Sequence, residues 1–327
     1  MTTALRVGLI GAGAIARRTH LPGFSAVRPA VDLTAFASRS LAPAQAAAEA
    51  WGGGVAVSDW RELIGREDVD AVDVCTPNAL HAPIAIAAAR AGKHVLVEKP
   101  LATSLADADA MIEAARRHGV VLMTAQNGRY GAGMRAAAQA VRQGRAGDVR
   151  AVEAWLAHGG PGTWARDARW FFDPALSGGG ALLDLGVHAI DAVRAVTGDE
   201  FALVSGMLSD LRQGVEWNGH LVGRLAGGGL CNVKASWNAP FRSDRLLAVW
   251  GTDAQVLVDG RGAWLRRPDD VTEALPGAAP ASLFADFVAA CRSGPPAGAP
   301  TGDDGRAAVA VVLAAYRSHG EGRAVAP

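Results

Sequence analysis

From Leu5 onward the chain alternates short apolar runs with stretches whose apolar residues recur at helical spacing. LRVGLI (5–10), VDLTAFA (31–37), VAV (55–57), DAVDVC (70–75), KHVLVE (93–98) and VVLMTA (120–125) predict strands, most of them apolar on both faces. The runs between them, among them APAQAAAEAW (42–51), LHAPIAIAAARAG (80–92) and SLADADAMIEAARRHG (104–119), predict helices, and Ser104 with Asp107 forms a capping signal for the last. Apolar strands in strict alternation with helices imply a doubly wound parallel sheet covered on both faces, a Rossmann arrangement.

The pattern changes after Ala125. A helix around 136–144 leads to the strand VRAVEAWLA (149–157), a loop rich in Trp and Gly, and a helix over 182–198. Five strands then follow without intervening helices, at 201–211, 217–226, 229–238, 245–251 and 254–260, before two closing helices. Successive strands separated by Gly, Asp and Asn turns predict an α+β part with an open, mostly antiparallel sheet. The expected division is therefore 1–126 and 127–327, packed closely, with no repeat and no long linker.

Composition adds mainly exclusions. Half of the 327 residues are apolar and 20% charged, with 32 basic against 32 acidic side chains. Such a balance predicts a globular chain and gives no reason to expect nucleic acid or a membrane as partner. The first residues read as a strand entering a turn rather than a cleavable leader, and no apolar run reaches membrane-spanning length. Cys75, Cys231 and Cys291 are odd in number and widely spaced, so they read as buried thiols, and the cytoplasm is the expected location. No metal is expected.

The turn Gly11-Ala12-Gly13-Ala14-Ile15-Ala16 has the form GxGxxA between a strand and a helix. Gly11 permits the tight turn, Gly13 lets a pyrophosphate approach the backbone, and Ala16 allows close helix–strand packing. The second strand ends Ala37-Ser38-Arg39 with no carboxylate, and Asp32 stands at its other end. Arg39 and Ser38 are suited to a 2′-phosphate, so NADP(H) is favoured, with NAD(H) the alternative should Arg39 only stack on adenine or be solvated. Thr76-Pro77-Asn78 with His81, and Glu98-Lys99-Pro100, follow the fourth and fifth strands, where ligands bind in such sheets. The former is also an ordinary turn, whereas Lys99 is aimed into the crevice by Pro100.

Ser177-Gly178-Gly179-Gly180 leads into a helix carrying Asp184, His188 and Asp191 at i, i+4 and i+7. The glycines admit something close to the backbone and free its N–H groups, and the polar residues share one face. A structural His–carboxylate network is the plain alternative. In the loop 161–172, Trp164, Arg169 and Trp170 are candidates for a polyol pocket, or else fillers of an aromatic core; Arg129 and Tyr130 are weaker candidates.

Taken together and in this order, GxGxxA, Thr-Pro-Asn with its His, Glu-Lys-Pro and GGGxxxDxGxHxxD resemble the Gfo/Idh/MocA oxidoreductase family over essentially the whole chain. The resemblance implies hydride transfer between nicotinamide and a secondary alcohol or ketone of a sugar, cyclitol or derivative. It makes Lys99 the catalytic lysine and Asp184 and His188 the substrate-binding and acid–base pair. Glu98 and Thr76-Pro77-Asn78 would contact the cofactor, with Gln126 near the nicotinamide. The C-terminal sheet would form a homodimer or homotetramer, and the last helix would pack back towards the first part. Relatives that cleave glycosides by transient oxidation, or that sense dinucleotides as regulators, are the alternatives. Intact Lys99, Asp184 and His188 speak against a regulator.

Overall fold

The computed structural model describes residues 3–165, 169–239 and 245–327. Arg166, Asp167 and Ala168 of the aromatic loop lie outside the described residues. The chain divides into two compact units, 1–125 with 281–306, and 126–280 with 307–327.

In the first unit, strands β1 (Leu5–Ile10), β2 (Val31–Ala37), β3 (Val55–Val57), β4 (Ala71–Val74), β5 (His94–Val97) and β6 (Leu122–Thr124) form one sheet. Its order is β3-β2-β1-β4-β5-β6 and every pairing is parallel. The order reverses between β1 and β4, which opens a crevice at their carboxyl ends. Central strands are buried along nearly their whole length, as their apolar runs predict. The helices are α1 (Leu21–Ser25), entered through a π-helical turn at Ala16–His20, then α2 (Leu41–Trp51), α3 (Trp60–Ile64), α4 (His81–Arg90) and α5 (Leu105–His118). Ser104 caps α5 as its sequence predicts, its Oγ accepting the Asp107 N–H at 3.1 Å.

The second unit is built on α6 (Ala132–Arg142), β7 (Val149–Ala157), the short α7 (Pro174–Ser177) and α8 (Val187–Thr197), which continues from a π-helical turn at Leu182–Gly186. Strands β8 (Phe201–Arg212), β9 (Val215–Leu225), β10 (Leu230–Ser236), β11 (Arg245–Gly251), β12 (Gln255–Asp259), β13 (Gly262–Arg266) and β14 (Thr272–Ala274) follow. With β7 they make an eight-stranded sheet in the order β14-β13-β12-β11-β7-β10-β9-β8, antiparallel except for β7 with β10. Its inner face meets Leu182, Leu183, Val187, Ile190 and Val193 in one apolar core. On the other face Trp155, Met207, Val222 and Leu230 are exposed, Met207 by 70%.

Two helices close the chain, α9 (Leu283–Ser293) and α10 (Gly302–Glu321). The segment 281–306 belongs to the first unit, although a single cut after residue 126 leaves it with the second. Phe284 explains its place. A Cβ on Gly23 would lie 2.0 Å from the Phe284 ring, so this glycine is what admits it, and the ring stands edge-on to Phe24 at 4.7 Å. From 307 onward α10 belongs to the second unit, where Val312 and Ala315 enter the core.

Candidate active site

The glycine turn can be read atom by atom. Gly11 has φ +99°, and a Cβ there would stand 2.5 Å from the Cys75 carbonyl oxygen, so no other residue fits. A Cβ on Gly13 would meet nothing within 4 Å. Ala12 and Ala16 are buried, while Gly13 is exposed and Ala14 and Ile15 are half-buried. The Arg17 N–H closes onto the Gly13 carbonyl at 3.2 Å, leaving the earlier amides as a helix N-terminus. At the end of the adjacent β4, the Thr76 Oγ1 is buried without a hydrogen-bond partner, a polar atom that a ligand would satisfy. The Gly13 N–H itself turns back onto the Gly11 carbonyl at 2.8 Å; the open space at Gly13, the helix N-terminus behind it and an orphaned hydroxyl fit a dinucleotide's phosphates and sugar.

Beyond β2, Ser38 is half-buried and Arg39 exposed. Asp32 accepts the Trp51 indole N–H at 2.9 Å at the far end of the strand. His81 is fully buried, with Nδ1 2.8 Å from the Pro100 carbonyl and Nε2 3.0 Å from that of Thr76. It thus ties the Thr76-Pro77-Asn78 turn to the Glu98-Lys99-Pro100 segment instead of presenting a polar atom to solvent. Burial lowers its pKa from the ordinary histidine value.

Glu98 is buried and Lys99 half-buried. One Glu98 oxygen accepts the Lys99 backbone N–H at 3.0 Å; the other lies 2.8 Å from His20 Nε2. His20 Nδ1 lies 2.9 Å from Asp73, and the Cys75 thiol donates to the same carboxylate at 3.6 Å. Burial opposes the charged ring, yet the Asp73 charge overcomes it and holds the His20 pKa well above its ordinary value.

In the second unit the three glycines have a structural explanation, Gly178 by its φ of +76° where it ends α7. A Cβ on Gly179 would stand 2.3 Å from the Tyr316 hydroxyl, and one on Gly180 would overlap the Glu216 backbone. The group that comes close is therefore the protein itself. The N–H groups expected to be free are engaged: Glu216 accepts from Gly180 at 2.9 Å, from Leu182 at 2.8 Å and from the Tyr316 hydroxyl at 2.9 Å. Burial raises the Glu216 pKa against these donors, and burial together with Glu216 pushes that of Tyr316 well up.

This cap fixes the start of the segment carrying Asp184, which sits in the π turn rather than in regular α-helix as simple i, i+4 spacing assumes. Such turns are frequent at functional sites. Asp184 is buried and accepts the Trp237 indole N–H at 3.0 Å. His158, at the end of β7, accepts the Gly160 N–H on Nδ1 at 2.9 Å, so its neutral form carries the proton on Nε2, which faces Asp184 at 3.9 Å. His188 is half-buried on α8. Asp191 is paired with Arg129, both nearly buried, so Arg129 is held by this helix. Gln126 is buried; its Nε2 donates to the Val187 carbonyl at 3.5 Å while its Oε1 has no partner.

Trp164, Trp170, Phe171 and Phe172 join Trp217 and Trp237 in one aromatic cluster, with Trp170 stacked on Phe171 at 3.9 Å. These aromatics therefore serve the core of their unit and also support the Asp184 contact. Arg169 is exposed. His20, Asp73, His158, Glu216, Trp237 and Tyr316 carry no motif signal of their own.

The model of an oxidoreductase family with an NAD-binding Rossmann fold matches residues 5–126, and that of the GFO/IDH/MocA C-terminal domain matches 134–257. The chain is 34% identical to a 1,5-anhydro-D-fructose reductase of Ensifer adhaerens over 98% of its own length and 97% of the relative's. It is 41% identical to a dTDP-3,4-didehydro-2,6-dideoxy-alpha-D-glucose 3-reductase of Streptomyces violaceoruber, over 66% of this chain and 61% of that one. A levoglucosan dehydrogenase solved with NADH and levoglucosan superposes with a TM-score of 0.88 at 26% identity, covering 99% of each chain. Among the described residues no helix is long and apolar enough to cross a membrane. With both domains matched and the glycine turn, Glu-Lys-Pro and glycine–Asp–His segments in place, this chain belongs to the Gfo/Idh/MocA family of oxidoreductases.

Proposed function

We propose that the protein is an NAD(P)-dependent dehydrogenase or reductase acting on a secondary alcohol or ketone of a sugar, cyclitol or sugar derivative. The observation that carries the reading is the first unit's ligand edge: an open Gly13, an orphaned Thr76 hydroxyl, and Lys99 on the next strand end with its backbone tied to a buried carboxylate. The sugar-directed relatives support the substrate class. The dinucleotide supplies or takes the hydride when bound. Lys99 donates a hydrogen bond to the reacting substrate oxygen and stabilises charge developing there. In the second unit His188 serves as the acid–base residue that exchanges a substrate proton. Asp184 receives a substrate hydroxyl. His158 Nε2, 3.9 Å from Asp184, leaves room for one oxygen to donate to the carboxylate and accept from the ring.

On the same reading NADP(H) is preferred through Ser38 and Arg39, and copies associate through the exposed sheet face. The three free thiols suit the cytoplasm. The test is a panel of keto-sugars, including inosose, anhydro-ketoses and nucleotide-linked ketoses, incubated with NADPH or NADH. Oxidation of the reduced cofactor with at least one member is expected. Dinucleotide binding without turnover on any member would instead indicate a sensing protein, and release of free sugar from a glycoside by protein with retained cofactor would indicate a glycosidase.

A further inference from the structure

In the first unit, three ionisable groups are buried together beneath the ligand edge. His20 and Asp73 are fully buried, and Glu98 is 6% exposed. They come from three elements: His20 ends the π turn that follows the glycine turn, Asp73 lies in β4, and Glu98 follows β5. The imidazole bridges the carboxylates at 2.9 and 2.8 Å, and the groups around it are Asp73, Cys75, Glu98 and the edge of the Phe284 ring. Apolar residues of similar volume often fill such a space with no loss of stability, so a buried ion pair is weak evidence for a role in stability alone.

Its geometry points to orientation. The Glu98 carboxylate is divided, with Oε1 on His20 and Oε2 on the Lys99 N–H at 3.0 Å. A carboxylate held on one side by a fixed imidazole has its plane set, and so has the peptide whose N–H it receives. We propose that His20 is a positioning residue: through Glu98 it fixes the peptide of Lys99, and so joins the helix behind the glycine turn to the lysine that meets the substrate oxygen. This rests on the reading of Lys99 as that lysine. The raised His20 pKa agrees with a ring that stays charged between two carboxylates and does not relay a proton.

The composition makes the proposal testable without a known substrate. The chain has only three lysines, Lys93, Lys99 and Lys234. Lys93 Nζ donates to the carbonyls of Arg66 and Val69 at 3.0 and 2.7 Å, and Lys234 pairs with Glu153 at 2.8 Å, so both serve as internal controls. Acetylation rates of each lysine, read by peptide mass spectrometry, are compared in the intact protein and in His20→Asn and Glu98→Gln. Release of the Lys99 segment is expected to change its labelling about fivefold or more in both variants, with Lys93 and Lys234 unchanged. An unchanged Lys99 rate in folded variants overturns the proposal.

The second arm uses the panel member that turns over. His20→Asn is expected to slow single-turnover hydride transfer about a hundredfold, the usual effect of a misplacement near 1 Å, with dinucleotide affinity kept within about threefold. In a Lys99→Ala background it should add no further loss, whereas a purely structural effect would add in full. Near wild-type transfer by Lys99→Ala would end the reading of Lys99 and leave the labelling result to judge the His20 link. Full transfer by His20→Asn beside a dead Lys99→Ala would end the link alone. Should His20→Asn not fold, Glu98→Gln carries the same comparisons.

Discussion

Trp237 donates its indole N–H to the Asp184 carboxylate at 3.0 Å, and both side chains are buried. Trp237 also packs edge-on against Phe171, Phe172 and Trp217, so the donor is held by the aromatic cluster. Trp237→Phe keeps a ring in that cluster and deletes the donor. Losing a hydrogen bond to a charged group costs about 1.5–3 kcal/mol, or roughly tenfold or more when it is expressed in substrate affinity. The expected result is a raised KM for the sugar with dinucleotide affinity unchanged. Titration of both ligands checks it, and equal losses for the two would show a general loss of structure.

Glu216 supports the same segment from the other side. Glu216→Ala leaves the Gly180 and Leu182 N–H groups and the Tyr316 hydroxyl without this acceptor, and unsatisfied buried donors cost about 1–3 kcal/mol each. Glu216→Gln, which keeps one oxygen, should lose distinctly less. Urea unfolding of the three proteins orders them, and a Glu216→Ala midpoint within error of wild type would refute the cap.

His20 gives the stability a pH dependence. Its folded pKa stands well above 6.5, burial opposing the shift and Asp73 driving it. A group raised on folding contributes fully below its unfolded pKa, and that contribution fades as pH rises through the folded value. Removing one partner of a buried pair costs about 3–5 kcal/mol while the pair is charged. The melting temperature of His20→Asn should therefore trail wild type most at about pH 6, with the gap narrowing as the pH rises above that. A gap that widens with pH reverses the sign and excludes a charged His20.

Much of this was legible before any coordinates. Apolar runs on both faces of β1, β4 and β5 announce a covered parallel sheet, and strands without intervening helices announce the second sheet. Glu98-Lys99-Pro100 and the glycine–Asp184–His188 run are legible because their residues are adjacent in sequence. What escaped depends on distance along the chain. Trp237 lies 53 residues from Asp184 and Glu216 lies 36 from Gly180, and only the packing of the π turn against β9 and β10 brings them together. Asp73 is one acid in an apolar strand and His20 one ring in a helical run; neither has a local pattern. The return of α9 depends on a glycine hole at Gly23 matching a ring at Phe284. Gly179 and Gly180 signal a close approach, but nothing local says that Tyr316 and Glu216 are what approach.

The outer face of the second sheet predicts association. Met207 lies opposite His220, Leu230 beside Ala151 and Trp155 beside Lys234, giving exposed apolar side chains on neighbouring strands. Met207, Val222, Leu230 and Trp155 put exposed apolar side chains on four strands of one sheet face, interleaved with His220, Arg224 and Lys234, a mixed surface suited to a second copy of the chain. Wild type should be a dimer or tetramer in light scattering. Val222→Lys with Leu230→Lys should shift it towards monomer without unfolding it. A concentration-independent monomer in the wild type would contradict the interface.

On the proposed reading, a preference for NADP(H) rests on Arg39. No carboxylate stands at the end of β2 to receive ribose hydroxyls or repel a phosphate, because Asp32 is at the far end and bound to Trp51. Arg39 is exposed beside the half-buried Ser38, where a guanidinium can pair with a 2′-phosphate. A charge-assisted contact of this kind is worth about 1.5–3 kcal/mol, or roughly tenfold and more in affinity. Arg39→Ala should therefore weaken NADPH binding at least about tenfold and NADH binding little. An arginine that only stacks on adenine would serve both cofactors, so its removal would cost both alike. Fluorescence titration of wild type and variant with each reduced cofactor separates the two. Equal losses, or tighter NADH than NADPH binding by the wild type, would place the preference elsewhere than at this strand end.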